Sequence, residues 1–77
     1  MQAYYIIILK NHIRYYREIA GLSQAELGRA IGVSQQSVNK YEHDRTNPSL
    51  ATAVRLAELF DVSVRDLFEF DQGYYDC

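Results

Sequence analysis

The sequence has a single cysteine, Cys77. One thiol cannot close an internal disulfide, so no disulfide framework is available and a reducing cytoplasm is the expected location. Long hydrophobic runs are also missing. The longest, Tyr4 to Leu9, falls far short of the roughly twenty apolar residues that span a bilayer. No basic residue precedes it, so a signal peptide is not expected. Glycine is scarce, at four residues, and none of it forms a phosphate-cradling loop. No second histidine, cysteine or carboxylate stands at metal-ligand spacing from His12, and no nucleophile has an evident attendant base. Neither an enzyme nor a metal or cofactor site is expected. Positive charge is not in excess either: the net charge is −2, which argues against a general polyanion binder.

What is present points to one small domain. Seventy-seven residues at 48% hydrophobic content allow one core, and no segment has the composition of a disordered chain. The charge is unevenly spread. Residues 1–48 carry six basic and four acidic side chains, net +2, whereas residues 49–77 carry two basic and six acidic ones, net −4. The N-terminal part could meet phosphates while the C-terminal part stays clear of them.

The basic part contains Ser23 to Glu42, SQAELGRAIGVSQQSVNKYE. Gln24 to Ile31 reads as a helix, with Leu27, Ala30 and Ile31 at helical spacing. Ser23 is an N-cap and Glu26, three residues on, completes a capping box. Gly32 follows the last periodic residue, where a left-handed C-cap favours a residue without Cβ. Val33 turns inward and Ser34 offers a second N-cap. In the next helix Val38 and Tyr41 can face a core, which leaves Gln35, Gln36, Ser37, Asn39 and Lys40 pointing out. Side-chain amides donate and accept at once, matching the N6 and N7 edge of adenine in the major groove. Two capped helices, a tight turn and an amide-rich outer face suit a DNA-reading helix-turn-helix.

The segment from about Leu9 to Phe68 resembles the phage repressor and Cro-type (XRE-like) family of helix-turn-helix transcriptional regulators. The matching residues are Arg17, Gly21-Leu22-Ser23-Gln24, Glu26-Leu27, Ile31-Gly32-Val33-Ser34, Val38, Tyr41-Glu42, Asn47-Pro48-Ser49 and Val62-Ser63. Asp44 stands where this family usually has glycine; Asp tolerates a left-handed backbone better than most residues. The resemblance implies an all-α, five-helix repressor-like domain. It also implies a structural pair between Arg17 and Glu42 that sets the angle between helices 1 and 3.

The remaining chain reads as follows. Met1 to Leu9 is rich in β-branched and aromatic residues and is expected to be an arm, as a strand pairing with the same strand of a second subunit or as an extension of helix 1. Lys10 to Ala20 is expected as helix 1, with Leu9, Ile13, Tyr16 and Ala20 on one face. His43 to Pro48 is a loop. Ser49 caps a helix over Leu50 to Phe60 whose buried stripe is expected to be Leu50, Ala53, Val54, Ala57 and Phe60. Ser63 and Asp66 form another capping box ahead of Val64, Leu67 and Phe68. The expected organisation is an arm over 1–9, the DNA-binding domain over 10–70 and a tail over 71–77.

The expected function is sequence-specific binding of double-stranded operator DNA, as a homodimeric repressor on a palindromic site. Base-edge contacts are assigned to Gln35, Gln36, Asn39 and Lys40. Phosphate contacts are assigned to Gln24, at the positive end of helix 2, and to Ser37, Arg45, Thr46 and Asn47. The alternative is an antitoxin or another protein-interaction module that binds a partner such as a toxin.

Overall fold

The computed structural model describes the backbone of residues 2–76 and the side chains of residues 10–69. The order of elements is β1 (Gln2–Asn11), α1 (Ile13–Ile19), α2 (Gln24–Ile31), α3 (Gln35–Glu42), α4 (Leu50–Phe60), α5 (Val64–Leu67) and β2 (Phe68–Asp76). Five helices make the body, and β1 and β2 pair as a two-stranded antiparallel ribbon.

Local chemistry places most helix boundaries. Ser23, Ser34, Ser49 and Ser63 are all extended N-caps whose side chains accept a backbone N–H from the first turn. Glu26 and Asp66 close capping boxes by accepting the Ser23 and Ser63 amides, each at 2.9 Å. The first four helices end in left-handed residues: Gly21 after α1, Gly32 after α2, Asp44 after α3 and Asp61 after α4. After α3 the N–H of Asp44 donates to the carbonyl of Tyr41 and that of Arg45 to the carbonyl of Lys40. That is the doubly bonded left-handed C-terminal stop.

The core is built from Ile13, Leu27, Ile31, Val38, Leu56 and Leu67, all essentially inaccessible to solvent, with Tyr41 and Phe68 beside them. The inward stripe of α4 differs from the expected one. Leu50 is 78% and Val54 41% exposed, while Thr52, Ala53, Leu56 and Ala57 are buried. Eight of the eleven residues of LATAVRLAELF are apolar, so helical spacing admits more than one stripe. Contact with α2 and α5 selects the one centred on Leu56. On α1, Ile13 is buried and Tyr16 packs against Phe60 with ring centroids 5.8 Å apart, but Ala20 is exposed.

The ends of the chain depart most from expectation. β1 runs beyond Leu9 to Asn11, which shortens α1 to start at Ile13 rather than Lys10. Its partner is the chain's own C-terminal segment, with Gln2 opposite Asp76 and Ile8 opposite Phe70. The segment read as a tail is therefore most of β2, and Phe68 opens that strand instead of extending α5. The reason is tertiary. The packed helices bring the flanking segments side by side, and the His12 amide donates to the Leu67 carbonyl at 2.8 Å. From that start the strands pair without a new loop to close, so the entropy of joining distant segments is already met. The register slips between Ile8 and Lys10, leaving Leu9 as a one-residue bulge, a device that re-aims the residues after it. A nine-residue strand spans about 30 Å, and the ribbon accounts for a molecule measuring 45 × 22 × 18 Å.

Candidate nucleic-acid interface

The site begins with the crossing of α2 and α3. Gly28 lies inside α2 and is buried. A Cβ there would stand 2.7 Å from the Val33 carbonyl oxygen, so only glycine lets the turn pass this close. The sequence marks Gly28 only as a glycine inside a helical run, with nothing local to show that it is required. Gly32, left-handed at φ 79°, then reverses the chain, and Ser34 starts α3.

Val38 and Tyr41 anchor α3 in the core. This turns Gln35, Gln36 and Lys40 fully outward and leaves Ser37 and Asn39 half-buried. An open depression is lined by Gln24, Gln35, Gln36, Asn39, Lys40 and Arg45. The fold thus gathers all four residues assigned to bases and two of those assigned to phosphates. Ser37 is drawn toward the start of its own helix, its hydroxyl accepting from Ser34 Oγ at 3.0 Å. Thr46 and Asn47 lie exposed farther along the loop that carries Arg45.

A polar chain supports this face from behind. Arg17 Nε donates to Glu42 Oε2 at 2.6 Å, Arg17 Nη2 to Glu42 Oε1 at 3.1 Å, and Arg17 Nη1 to the Leu22 carbonyl at 2.8 Å. The side chains are 13% and 2% exposed. Hydrogen bonding to Glu42 raises the Arg17 pKa above its ordinary value, outweighing the opposing effect of burial. Gln24 Nε2 also donates to Glu42 Oε1, at 3.1 Å, and Gln24 Oε1 faces Asn39 Nδ2 at 3.5 Å. A carboxylate only accepts, so Glu42 fixes which end of the Gln24 amide faces it, and Gln24 in turn orients Asn39. Gln24 therefore stands at the N-terminus of α2 with one N–H already engaged and the other open. The Glu42 charge is covered by Arg17, which leaves Lys40 and Arg45 as the cations of the outward face.

A helix-turn-helix family model matches residues 13–67, more than half of the chain. The chain belongs to this family, the XRE-type helix-turn-helix transcriptional regulators. Its relatives include an HTH-type transcriptional regulator of Methanocaldococcus jannaschii, 35% identical over 63 residues, covering 82% of this chain and 96% of that protein. Among solved structures, it is similar to the restriction-modification controller protein C.AhdI of Aeromonas hydrophila. The identity there is 33%, with 74% of this chain and 86% of that one covered and a TM-score of 0.68. It is also similar to the P22 c2 repressor in complex with a synthetic operator: 28% identity, 69% and 80% coverage, TM-score 0.66. Members of this family are DNA-binding regulators of transcription, not enzymes. Among the described residues no group of histidine, cysteine and carboxylate side chains could hold a metal ion, and no helix is long and apolar enough to cross a membrane.

Proposed function

We propose that this helix-turn-helix regulator is a repressor that reads a two-fold operator as a homodimer, with α3 in the major groove. The observation that carries the proposal is the outward face of α3. Gln35, Gln36 and Lys40 are exposed together on a helix whose other side is locked into the core by Val38 and Tyr41. Rigid backing is what base readout needs, because a good bidentate amide contact discriminates by about 1–3 kcal/mol only when its geometry is held. Asn39 extends the reading face, with its amide oriented through Gln24. Gln24, Arg45, Ser37, Thr46 and Asn47 contact phosphates on either side. The structure of the P22 c2 repressor with operator supports this docking by likeness.

The ribbon is the dimer contact. A two-stranded ribbon has a free edge on each strand, and an isolated one is marginal in water. Every residue of the run Tyr4 to Leu9 is apolar or aromatic, more than one face of a strand can hold, since successive strand residues alternate in direction. A second copy related by a two-fold axis covers the other face and matches the symmetry of a palindromic site.

Selection of binding sites from random duplexes tests the reading, followed by titration of Gln35→Ala and Gln36→Ala on the selected site. Each variant is expected to lose about 1–3 kcal/mol of binding and to relax base preference. Binding equal to the parent chain by both variants would show that α3 is not the reader. Sedimentation of a chain lacking residues 1–8 tests the dimer: a monomer is expected, and an undiminished dimer would move the contact to the helical body.

A further inference from the structure

We propose that Asn11 is a positioning residue for DNA binding, tying the β-ribbon to the loop that holds the phosphate backbone. Asn11 is the last residue of β1. Its Nδ2 donates to the Tyr41 carbonyl at 2.7 Å and to Asp44 Oδ1 at 2.9 Å, reaching 30 and 33 positions along the chain. Its Oδ1 accepts from the Ile13 amide at 3.2 Å, which satisfies the first N–H of α1. One side chain thus joins the ribbon, the start of α1 and the end of α3.

The simpler reading makes Asn11 a helix cap. A cap needs only Oδ1, and His12, the residue in the capping position of α1, makes no side-chain cap bond of its own. The two Nδ2 bonds lie outside that role. They fall on the segment that decides where Arg45 goes. Tyr41 supplies one of the last carbonyls of α3, and Asp44 is the left-handed residue, φ 56°, that turns the chain into Arg45, Thr46 and Asn47. Glycine takes that conformation most freely. An aspartate accepts the conformational cost and gains a carboxylate that can receive Asn11. The bulge at Leu9 belongs to the same device. Strand residues alternate in direction, so without the extra residue Asn11 would fall on the opposite face of the ribbon, away from α3. The ribbon is thereby registered against the loop beside the reading helix, and displacement of one displaces the other.

The inference rests on the phosphate-binding role given above to the Arg45 loop. Phosphate contacts do not depend on sequence, so a mixed-sequence DNA duplex is a sufficient probe, with affinity measured over a range of salt concentrations on protein shown to be folded. Arg45→Ala is expected to make the salt dependence shallower by about 0.9, the loss of one phosphate contact. Asn11→Ala, which changes no charge, is expected to do the same although it removes no cation. Asn11→Asp keeps an oxygen for the Ile13 amide but sets an acceptor against the Tyr41 carbonyl and Asp44 Oδ1, so the cap survives and both donated bonds are lost. It is expected to reproduce the shallower slope of Asn11→Ala. If Arg45→Ala leaves the slope unchanged, the phosphate reading fails and this inference with it. If Arg45→Ala lowers the slope while Asn11→Ala only lowers the unfolding temperature, Asn11 is a cap and the inference alone is overturned. An Asn11→Asp chain with the slope of the parent chain overturns it as well, because the cap alone would then account for Asn11.

Discussion

Arg17 and Glu42 form a two-point contact, Nε to Oε2 at 2.6 Å and Nη2 to Oε1 at 3.1 Å, across 25 positions of sequence. It joins α1 to the end of α3 and holds the carboxylate that orients Gln24. Removing either partner strands a charge in a site only 13% or 2% exposed. Glu42→Ala or Arg17→Ala is therefore expected to cost about 3–5 kcal/mol, and the double variant less than the sum. Urea unfolding of the four chains measures the coupling, and strictly additive losses would show that the contact carries no energy of its own.

Gly28→Ala tests the crossing of α2 and α3. In an exposed helix interior this change gains about 1 kcal/mol. Here the new Cβ meets the Val33 carbonyl at 2.7 Å, a backbone atom that cannot rotate away. A net loss of about 1–3 kcal/mol is expected, with weaker DNA binding as α3 is pushed from its place. A stabilised variant would mean that the turn yields easily.

Asp61 offers the opposite case. It is left-handed, at φ 55° and ψ 48°, and sits at the negative end of α4. Asp61→Gly relieves a backbone cost that for aspartate lies below the ~1–2 kcal/mol of most residues, and an unfavourable charge near a helix C-terminus, against about 0.5–1 kcal/mol for the extra freedom of glycine in the unfolded chain. A net gain of up to about 1 kcal/mol is expected, read as a higher thermal midpoint, and a lower midpoint would count against the assignment of strain.

Acid should weaken the fold through its capping boxes. The Glu26 and Asp66 carboxylates accept the Ser23 and Ser63 amides, and these hydrogen bonds lower both pKa values. A depressed folded pKa means that the unfolded chain binds protons first. The contribution is complete above the unfolded values of about 4 and is lost as the pH falls through the folded ones. Urea midpoints should drop between neutral pH and pH ~3, and the drop should be smaller in a chain carrying Glu26→Gln and Asp66→Asn. Equal drops in the two chains would place the acid sensitivity elsewhere.

Features that depend on neighbours a few positions apart are legible in the chain before it folds. Ser23 with Glu26, Ser34, Ser49 and Ser63 with Asp66 each find their partners within one helical turn, so the starts of α2 to α5 are legible as text. Gly32 marks the reversal for the same reason. The outward set of Gln35, Gln36 and Lys40 follows from Val38 and Tyr41 claiming the inner side of a single short helix. Features that depend on segments far apart arise only from packing. The stripe of α4 was ambiguous because apolar residues are spread around most of that helix, and only packing chose Leu56 over Leu50. The strand at the N-terminus was legible from its β-branched and aromatic residues. Its partner was not, because the pairing of residue 2 with residue 76 follows from the helices having already set His12 against Leu67. The bonds from Asn11 to Tyr41 and Asp44 belong to the same class. They span some thirty positions, and they exist because a one-residue bulge turned that side chain toward α3, a choice that no periodicity in the strand records.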